Sequence, residues 1–194
     1  QWDSANKTLE FGLGGGNVNL AIGQRLVSLA FNTEVDALLM GEVVYINGAY
    51  TAGDNGTSIP VARASDVGDA TSQRILGIVA ETIQPNETGF VTVKGRVENI
   101  DTGMFPLNAQ LWASSVPGVV SHVRPTPPSH SVYIGTISNS HPLYGSIYID
   151  VIERQGLHEL DNVLITSASH GDILVYNATS SVWENSKDLN VNNI

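Results

Sequence analysis

Apolar and polar residues alternate along much of this chain, and one arrangement of them occurs twice. In the first copy, a run that opens on glycine at residues 77–80 leads through a polar turn to a strictly alternating run at 90–95. The second copy repeats this order at residues 135–138 and 146–151. Alternation with a period of two, bounded by glycine, is typical of half-buried antiparallel strands. The pattern therefore predicts a structural β protein with an internal pseudo-repeat.

Further runs extend this prediction upstream. Each copy is preceded by another alternating run, at residues 41–46 and 109–114, and residues 26–31 predict one more strand. Near the N-terminus, runs at 8–11 and 18–22 flank a glycine-rich stretch, which predicts a hairpin. A phosphate-binding loop is the alternative, but it needs a following helix with Lys and Ser or Thr, which the sequence lacks.

Three segments depart from the alternation. Residues 35–40 are the one place where a helical turn could compete, but their apolar residues are too few to sustain a helix of ordinary length. Residues 65–72 have the composition of a loop with a short turn. Residues 124–129 contain three prolines, which remove backbone donors and predict a rigid connector between two strands. The fold class expected is all-β, with short antiparallel strands in a sandwich or barrel.

The alternating pattern gives way after Ile152 to residues typical of a linker, and we place a domain boundary there. Residues 1–152 are expected to form the β-sandwich or barrel, and residues 153–194 a linker followed by a small β-rich trimerising segment. That second segment is too short for a core of its own. It must bury its Leu, Val, Tyr and Trp side chains against something else, and two further copies of itself are the simplest partner.

Composition narrows the function classes. Acidic residues outnumber basic ones by 19 to 9, for a formal net charge of −10, and no stretch clusters Lys or Arg. Nucleic acid and anionic membrane surfaces are therefore disfavoured partners. The chain has no cysteine and no apolar run near the roughly 20 residues that span a bilayer. Because it lacks an initiator Met and ends in mid-pattern, we expect it to be processed or part of a longer polypeptide.

No motif indicates catalysis, a cofactor or a metal. The five histidines lack the spacing of metal ligands, although His158 or His170 could face a three-fold axis and so become three ligands. Acid pairs that could cleave a glycosidic bond are more typical of solvated loops, and no nucleophile motif is present. The pairs are Glu81 with Glu87, Asp66 with Asp69, and Glu98 with Asp101. Aromatic side chains could form a glycan-stacking face, but most of them fall at alternating strand positions and are expected to be packing anchors. They are Trp2, Trp112, Trp183, Tyr133, Tyr144, Tyr148 and Tyr176.

The last segment carries the most specific motif. Residues 160–167, 170–177 and 183–185 resemble the "L-x-D-V … G-D-x-L-x-Y-N … W-x-N" unit of tail fibre and appendage proteins of tailed bacteriophages. Asp161 stands one residue farther from Val163 than in the usual unit. Residues 9–18, 41–46 and 89–95 also resemble segments of such virion proteins.

The resemblance implies a homotrimeric, β-rich fibre in the virion, with one end on the particle and the other meeting the host. On this basis we expect the particle-proximal part of a tail fibre, with no enzymatic activity, no cofactor and no membrane insertion. Its partners would be other tail or neck proteins and, through a distal region, a host surface glycan. The predicted trimer interface consists of Leu160, Val163, Leu174, Tyr176 and Trp183. A capsid decoration or cement protein and a carbohydrate-binding or depolymerase module are the alternatives.

Overall fold

The computed structural model describes residues 2–4, 8–13, 18–48, 58–153, 156–157 and 160–187. The chain divides into two compact units, Gln1–Arg154 and Gln155–Ile194. Nearly all of the regular structure is β, and the one α-helix in the described ranges is a single turn. The prediction of an all-β fold is confirmed.

Unit 1 contains a small N-terminal sheet and a large sheet. The small sheet is antiparallel, with the order β1 (Trp2–Asp3), β2 (Thr8–Leu13) and β3 (Val18–Ala21). The predicted hairpin therefore forms between β2 and β3, and residues 14–17 of its connection lie outside the described ranges. The elements of the large sheet are β4 (Arg25–Asn32), β5 (Val43–Ile46), β6 (Ile59–Arg63), the short helix α1 (Asp69–Ser72), β7 (Ile75–Val79), β8 (Thr88–Ile100), β9 (Gln110–Ala113), β10 (Val120–Ser121), β11 (Tyr133–Asn139) and β12 (Gly145–Ile152).

Five strands of the large sheet close into a barrel. The strands follow the order β10-β9-β11-β12-β8-β4-β6-β5-β7, and β7 also pairs with β8, so that β4, β6, β5, β7 and β8 form a ring. Closure removes the exposed edges at which a sheet could pair with another chain. The barrel interior is filled by one apolar cluster, made of Ala30, Leu38, Val44, Val61, Val79, Ile83 and Val91.

A second apolar cluster joins the barrel wall to the other strands of unit 1. Val43 and Ile78 belong to this cluster, whereas their neighbours Val44 and Val79 face the barrel interior. The barrel strands β5 and β7 are therefore buried on both faces, which accounts for their adjacent apolar residues. The remaining buried members are Ala64, Val97, Ile100, Phe105, Leu111, Ala113, Val132, Ile134, Ile137, Ile147 and Ile149.

The predicted repeat is present in the pairing of the strands. Strand β5 pairs with β6 and β7, and β7 pairs with β8; in the same way β9 pairs with β10 and β11, and β11 pairs with β12. Gly77 and Gly135 occupy equivalent positions, each beside a register shift in its strand. A Cβ on Gly77 would lie 2.0 Å from the carbonyl oxygen of Thr92, and one on Gly135 would lie 2.2 Å from that of Tyr148. Close backbone approach therefore explains why each copy opens on glycine.

The two copies differ in how their ends are completed. In the first, β4 pairs in parallel with β6 and closes the barrel. In the second, the C-terminal half of β8 takes the place of β4 beside β12, while β10 has only two residues and pairs within the described ranges with β9 alone. The rings of Phe105 and His122 meet edge-on at 6.0 Å near this end.

Residues 35–40 form no helix, which agrees with their small number of apolar residues, and Leu38 makes an isolated β-bridge with Ile83. Some other local predictions need correction. The short helix α1 lies inside the segment predicted as a loop with a turn. Not every strand pair is antiparallel either, as β4 and β6 show. The proline-rich segment connects β10 to β11, as its composition predicts. No helix in the described ranges has the length and apolar character needed to cross a bilayer.

Unit 2 is a three-stranded sheet. Its strands are β13 (Val163–Leu164), β14 (Ile173–Asn177) and β15 (Val182–Ser186), in the order β13-β15-β14. Strand β15 is parallel to β13 and antiparallel to β14. Among residues 156–157 and 160–187, none is buried. The described part of unit 2 thus has strands but no interior of its own.

Candidate assembly surface

Four of the five predicted interface residues lie on one face of the unit 2 sheet. Trp183 is directly opposite Tyr176 on one side and Val163 on the other, and directly opposite residues share a face. Leu174 is two positions from Tyr176 and therefore lies on the same face. We call Val163, Leu174, Tyr176 and Trp183 the Trp183 face. The fifth residue, Leu160, precedes β13, and its carbonyl accepts a hydrogen bond from the Val163 amide at 3.0 Å.

The Trp183 face is apolar and accessible. Leu174, Tyr176 and Trp183 are 39%, 49% and 42% exposed, and Leu160 is 38% exposed. The rings of Tyr176 and Trp183 lie 5.5 Å apart with an interplanar angle of 59°. Large apolar side chains grouped in this way commonly mark an interaction surface.

The opposite face differs in chemistry. It carries Val175 and Val182, but also Glu184, which is directly opposite Val175. The Glu184 carboxylate accepts hydrogen bonds from Asn177 Nδ2 at 3.0 Å and from Ser180 Oγ at 2.9 Å. The four members of the Trp183 face are uncharged, but Asn185, directly opposite Leu174, lies on the same side, and its side-chain amide is hydrogen-bonded to the Asp172 carboxylate.

The polar residues of the C-terminal motif hold the turns of this sheet. Asp172 Oδ2 accepts hydrogen bonds from the Ser169 amide at 3.0 Å and from Asn185 Nδ2 at 2.7 Å. Asn185 in turn donates to the Thr166 carbonyl at 3.0 Å and accepts from the Thr166 amide at 2.7 Å. The hydrogen bonds from Asn185 and Ser169 lower the pKa of Asp172.

The remaining polar motif residue has a similar role. Asn177 Oδ1 accepts a hydrogen bond from the Thr179 amide at 2.9 Å at the start of the turn between β14 and β15. Gly171 has a φ of 90°, a conformation that favours glycine. These residues therefore fix the turns that position the Trp183 face.

The candidate acid pairs of unit 1 are engaged in local structure. Glu81 Oε1 accepts a hydrogen bond from the Phe90 amide at 3.2 Å, and Asp101 Oδ1 accepts one from the Gly103 amide at 2.9 Å. Glu98 forms an ion pair with Arg96. Asp66 is buried. The side chain of Asp69, the other acid of that candidate pair, is not among those that the structure describes.

The histidines are dispersed among turns and contacts. His141 Nδ1 accepts hydrogen bonds from the amides of Leu143 and Tyr144, each at 3.0 Å, and His130 donates its amide to the Asp66 carbonyl at 2.9 Å. His170 is exposed before β14, and His158 lies outside the described ranges. Among the residues described, no three His, Asp or Glu side chains come together as metal ligands would.

The tryptophans do not share one role. Trp112 is 4% exposed, packs edge-on against Tyr133 at 5.7 Å, and has the Arg124 guanidinium 5.3 Å from its ring centre. It is a packing anchor, as predicted. Trp2 is 61% exposed and, like Trp183, lies on an accessible sheet face.

Sequence analysis missed one feature of unit 1, the cavity beside Arg25. The available signal was an arginine that opens a largely apolar strand, β4, in a chain with only nine basic residues. The position of Arg25 in the sequence does not reveal this cavity, because the cavity wall comes from four strands and from loops that are distant along the chain.

Comparison of the chain with known proteins identifies no relative. No protein-family model, curated protein or solved structure matches this chain. Its function must be inferred from its own residues.

Proposed function

We propose that this protein is a structural component of a tailed-phage virion, the particle-proximal part of a homotrimeric tail fibre. In this proposal the Trp183 face of each copy packs against the same face of two others around a three-fold axis. Unit 1 then forms a rigid β body carried by each chain. The role is mechanical, and no residue of the described chain is assigned to catalysis.

The observation that carries the proposal is a sheet with an accessible apolar face and no interior. An ordered three-stranded sheet ordinarily needs a packed face for stability. In the described part of unit 2 no residue is buried, yet Leu174, Tyr176 and Trp183 are together on one side. Taking a side chain of this size from full exposure to full burial stabilises by about 1.5–3 kcal/mol, and burying the 39–49% of these three that is exposed would contribute the corresponding part of it. Association of copies would supply the interior that one chain lacks.

The closed barrel of unit 1 supports a structural role. Since its strands pair in a ring, the barrel offers no edge for unwanted addition of another chain. A chain that displays an adhesive surface at one end benefits from an inert body elsewhere. The number of copies and the location in a virion rest on the resemblance of the motif at residues 160–185 to phage appendage proteins.

The test is the oligomeric state of the whole chain and of paired variants. Sedimentation velocity at micromolar concentration should give a trimer for the wild type and a monomer for the Tyr176→Ser, Trp183→Ser double variant. The matched control is Leu164→Ser, because Leu164 is 54% exposed and lies on the opposite face. A monomeric wild type, or a control as disruptive as the double variant, would refute assembly through the Trp183 face.

A second measurement tests the place in the particle. Antibodies raised against unit 1 should label the tail region of intact virions in electron micrographs. Labelling over the whole head would replace the fibre with a decoration protein, and a chain missing from purified particles would reject a virion role altogether.

A further inference from the structure

An open groove lies in unit 1 where the two copies of the repeat diverge. Strand β4 pairs with one edge of β8 along residues 88–95. Strands β7 and β12 therefore share the other edge, where β7 pairs with residues 91–92 and β12 with residues 94–100. The two strands part at Val93, and the groove lies in the fork between them.

The walls of the groove are largely apolar. Leu76 packs against the apolar cluster of the barrel interior, whereas Ile75 and Val151 pack against the second apolar cluster. Leu26 of β4 also lines the groove and is 59% exposed. A ligand in the groove would touch side chains next to both clusters without entering either one. Covering such a surface with an apolar molecule is favourable.

The groove is large enough for a small molecule. Its volume is ≈ 530 Å³, within the range of about 300–1,000 Å³ that is usual for ligand sites. At about 30 Å³ for each water of the liquid, this is room for about 18 waters. A molecule of about ten non-hydrogen atoms, each taking up no more space than one water, fits with room to spare.

Arg74 places an accessible cation at the rim of the groove. The residue is exposed, and within the described ranges its guanidinium donates one hydrogen bond, from Nη2 to the Ala70 carbonyl at 3.5 Å. Among the described residues, no carboxylate forms an ion pair with it. A carboxylate of a ligand can therefore reach this guanidinium from solvent and pair with it.

The other charged residues at the groove favour one orientation of such a ligand. Lys94 Nζ and Asp150 Oδ1 pair with each other at 2.8 Å, so these two charges offset one another. Arg74 precedes β7 and Glu153 follows β12, so this cation and this acid belong to different walls of the fork. An anionic end group is therefore favoured beside Arg74, with the apolar part of the ligand along Leu76.

We propose that this groove binds an amphipathic molecule with an unbranched apolar chain and a carboxylate end group, the chemistry of a medium-chain fatty acid. The carboxylate pairs with Arg74, and the chain lies against the apolar walls. The site is within unit 1 and does not use the Trp183 face. Its failure would leave the proposed assembly untouched, and a monomeric protein would leave this site in place.

The experiment is an amide-resolved NMR titration of the full chain with probes of equal chain length. Octanoate carries the carboxylate, 1-octanol is its neutral counterpart and octylammonium its cationic counterpart. Octanoate should produce saturable shifts in β7, β8 and β12, with a dissociation constant on the order of 1 mM. It should bind about threefold more tightly than octanol, as one exposed ion pair allows, and octylammonium should bind most weakly.

Three results of this titration would overturn the proposal. The first is the absence of saturable octanoate shifts in these strands. The second is a set of saturable shifts confined to β14 and β15, which would move the binding to the Trp183 face. The third is octanol or octylammonium binding as tightly as octanoate.

Variants locate the ligand within the groove. Arg74→Met removes the charge but keeps an apolar stem, so it should reduce the affinity for octanoate to that for octanol and leave octanol binding unchanged. Arg96→Met is the matched control, since Arg96 is also exposed but does not line this groove, and the preference for octanoate should persist in it.

A second variant tests the apolar wall. Leu26→Glu places a carboxylate against the chain of the ligand, and it should weaken octanoate binding by at least about fivefold, because that carboxylate would have to be desolvated and would repel the anion. Arg74 and Leu26 are both exposed, so neither replacement disturbs an apolar cluster. Unchanged octanoate binding in either variant would also overturn the proposal.

Discussion

At the scale of single residues, Arg63 connects the long β4–β5 loop to the barrel. Its Nε donates to Glu42 Oε1 at 3.0 Å, its Nη1 pairs with Glu34, and its Nη2 donates to the Ala37 carbonyl. The Arg63 side chain is 17% exposed, so these interactions are partly shielded from solvent. One cation therefore satisfies three acceptors of a single loop.

Replacing Arg63 should lower the stability of the folded protein. We expect Arg63→Met to lower the free energy of unfolding by about 2–3 kcal/mol, because it leaves two partly buried carboxylates without their partner. The comparison is Lys94→Met, which removes an ion pair with Asp150 whose side chains are 58% and 40% exposed. That change should cost clearly less, because the Lys94–Asp150 pair is open to solvent. Equal losses for the two variants in urea titrations would contradict this account of Arg63.

Asp66 contributes a pH dependence. The residue is 5% exposed, and its Oδ1 has no hydrogen-bond partner in the described part of the chain. Burial raises the pKa of Asp66 above its ordinary value of 3.8, although His130 and Ser129 act to lower it. The folded state thus holds this proton more tightly than the unfolded state does. The resulting stability is fully present below pH 3.8 and is lost as the pH rises through the raised pKa.

The Asp66→Asn variant should not lose stability as the pH rises, because its side chain does not ionise. Near neutral pH we expect the variant to be more stable than the wild type, because the amide stays uncharged at a pH where the buried carboxyl must ionise. The difference should disappear below pH 3.8, where the wild-type carboxyl is also uncharged. Urea unfolding across this pH range is the measurement, with the exposed Asp36→Asn as control. A variant that is less stable than the wild type at every pH would contradict the prediction.

Sequence analysis could anticipate the role of short-range acids but not of these two residues. Asp101 bonds an amide two positions away, as its turn composition suggests. Arg63 meets Glu34 across 29 positions, and Asp66 meets His130 across the proline-rich connector. Such partners are brought together by tertiary structure, and no local pattern encodes them.

At the scale of elements, the two equivalent glycines test the repeat. Gly77→Ala and Gly135→Ala should each destabilise the protein by about 3 kcal/mol, since each new Cβ would meet a backbone carbonyl that cannot rotate away. Gly103→Ala is the control because its nearest neighbours, atoms of Pro142, are 3.3 Å away and the site is exposed. Thermal unfolding should separate the pair from the control. A small effect at either glycine would mean that the strands can move apart locally.

The strands themselves were more predictable than their connections. Alternation identified β5, β7, β8 and their counterparts in the second copy because each has one polar and one apolar face or lies between two cores. The closure of the barrel depends on the parallel pairing of β4 with β6, which no turn specifies. On the assembly surface, alternation grouped Leu174, Tyr176 and Trp183, whereas Leu160 lies in a turn that the pattern did not distinguish from a strand.

At the scale of the whole molecule, we expect unit 1 to fold by itself and unit 2 to carry the surface for self-association. A chain that ends at Arg154 retains both apolar clusters of unit 1, so we expect its free energy of unfolding to stay within about 1 kcal/mol of that of unit 1 in the full chain. It should also be monomeric, because it lacks the Trp183 face. Circular dichroism and sedimentation velocity measure the two properties. A truncated chain that still forms trimers would move the assembly surface into unit 1.

Strand β8 has 13 residues, and it contributes its first half to the barrel and its second half to the sheet of the other copy. A backbone shared in this way couples the opening of one copy to the opening of the other. Amide hydrogens throughout β8 should therefore exchange with solvent deuterium at a single slow rate, and a pulling force on unit 1 should meet one rupture event in place of two.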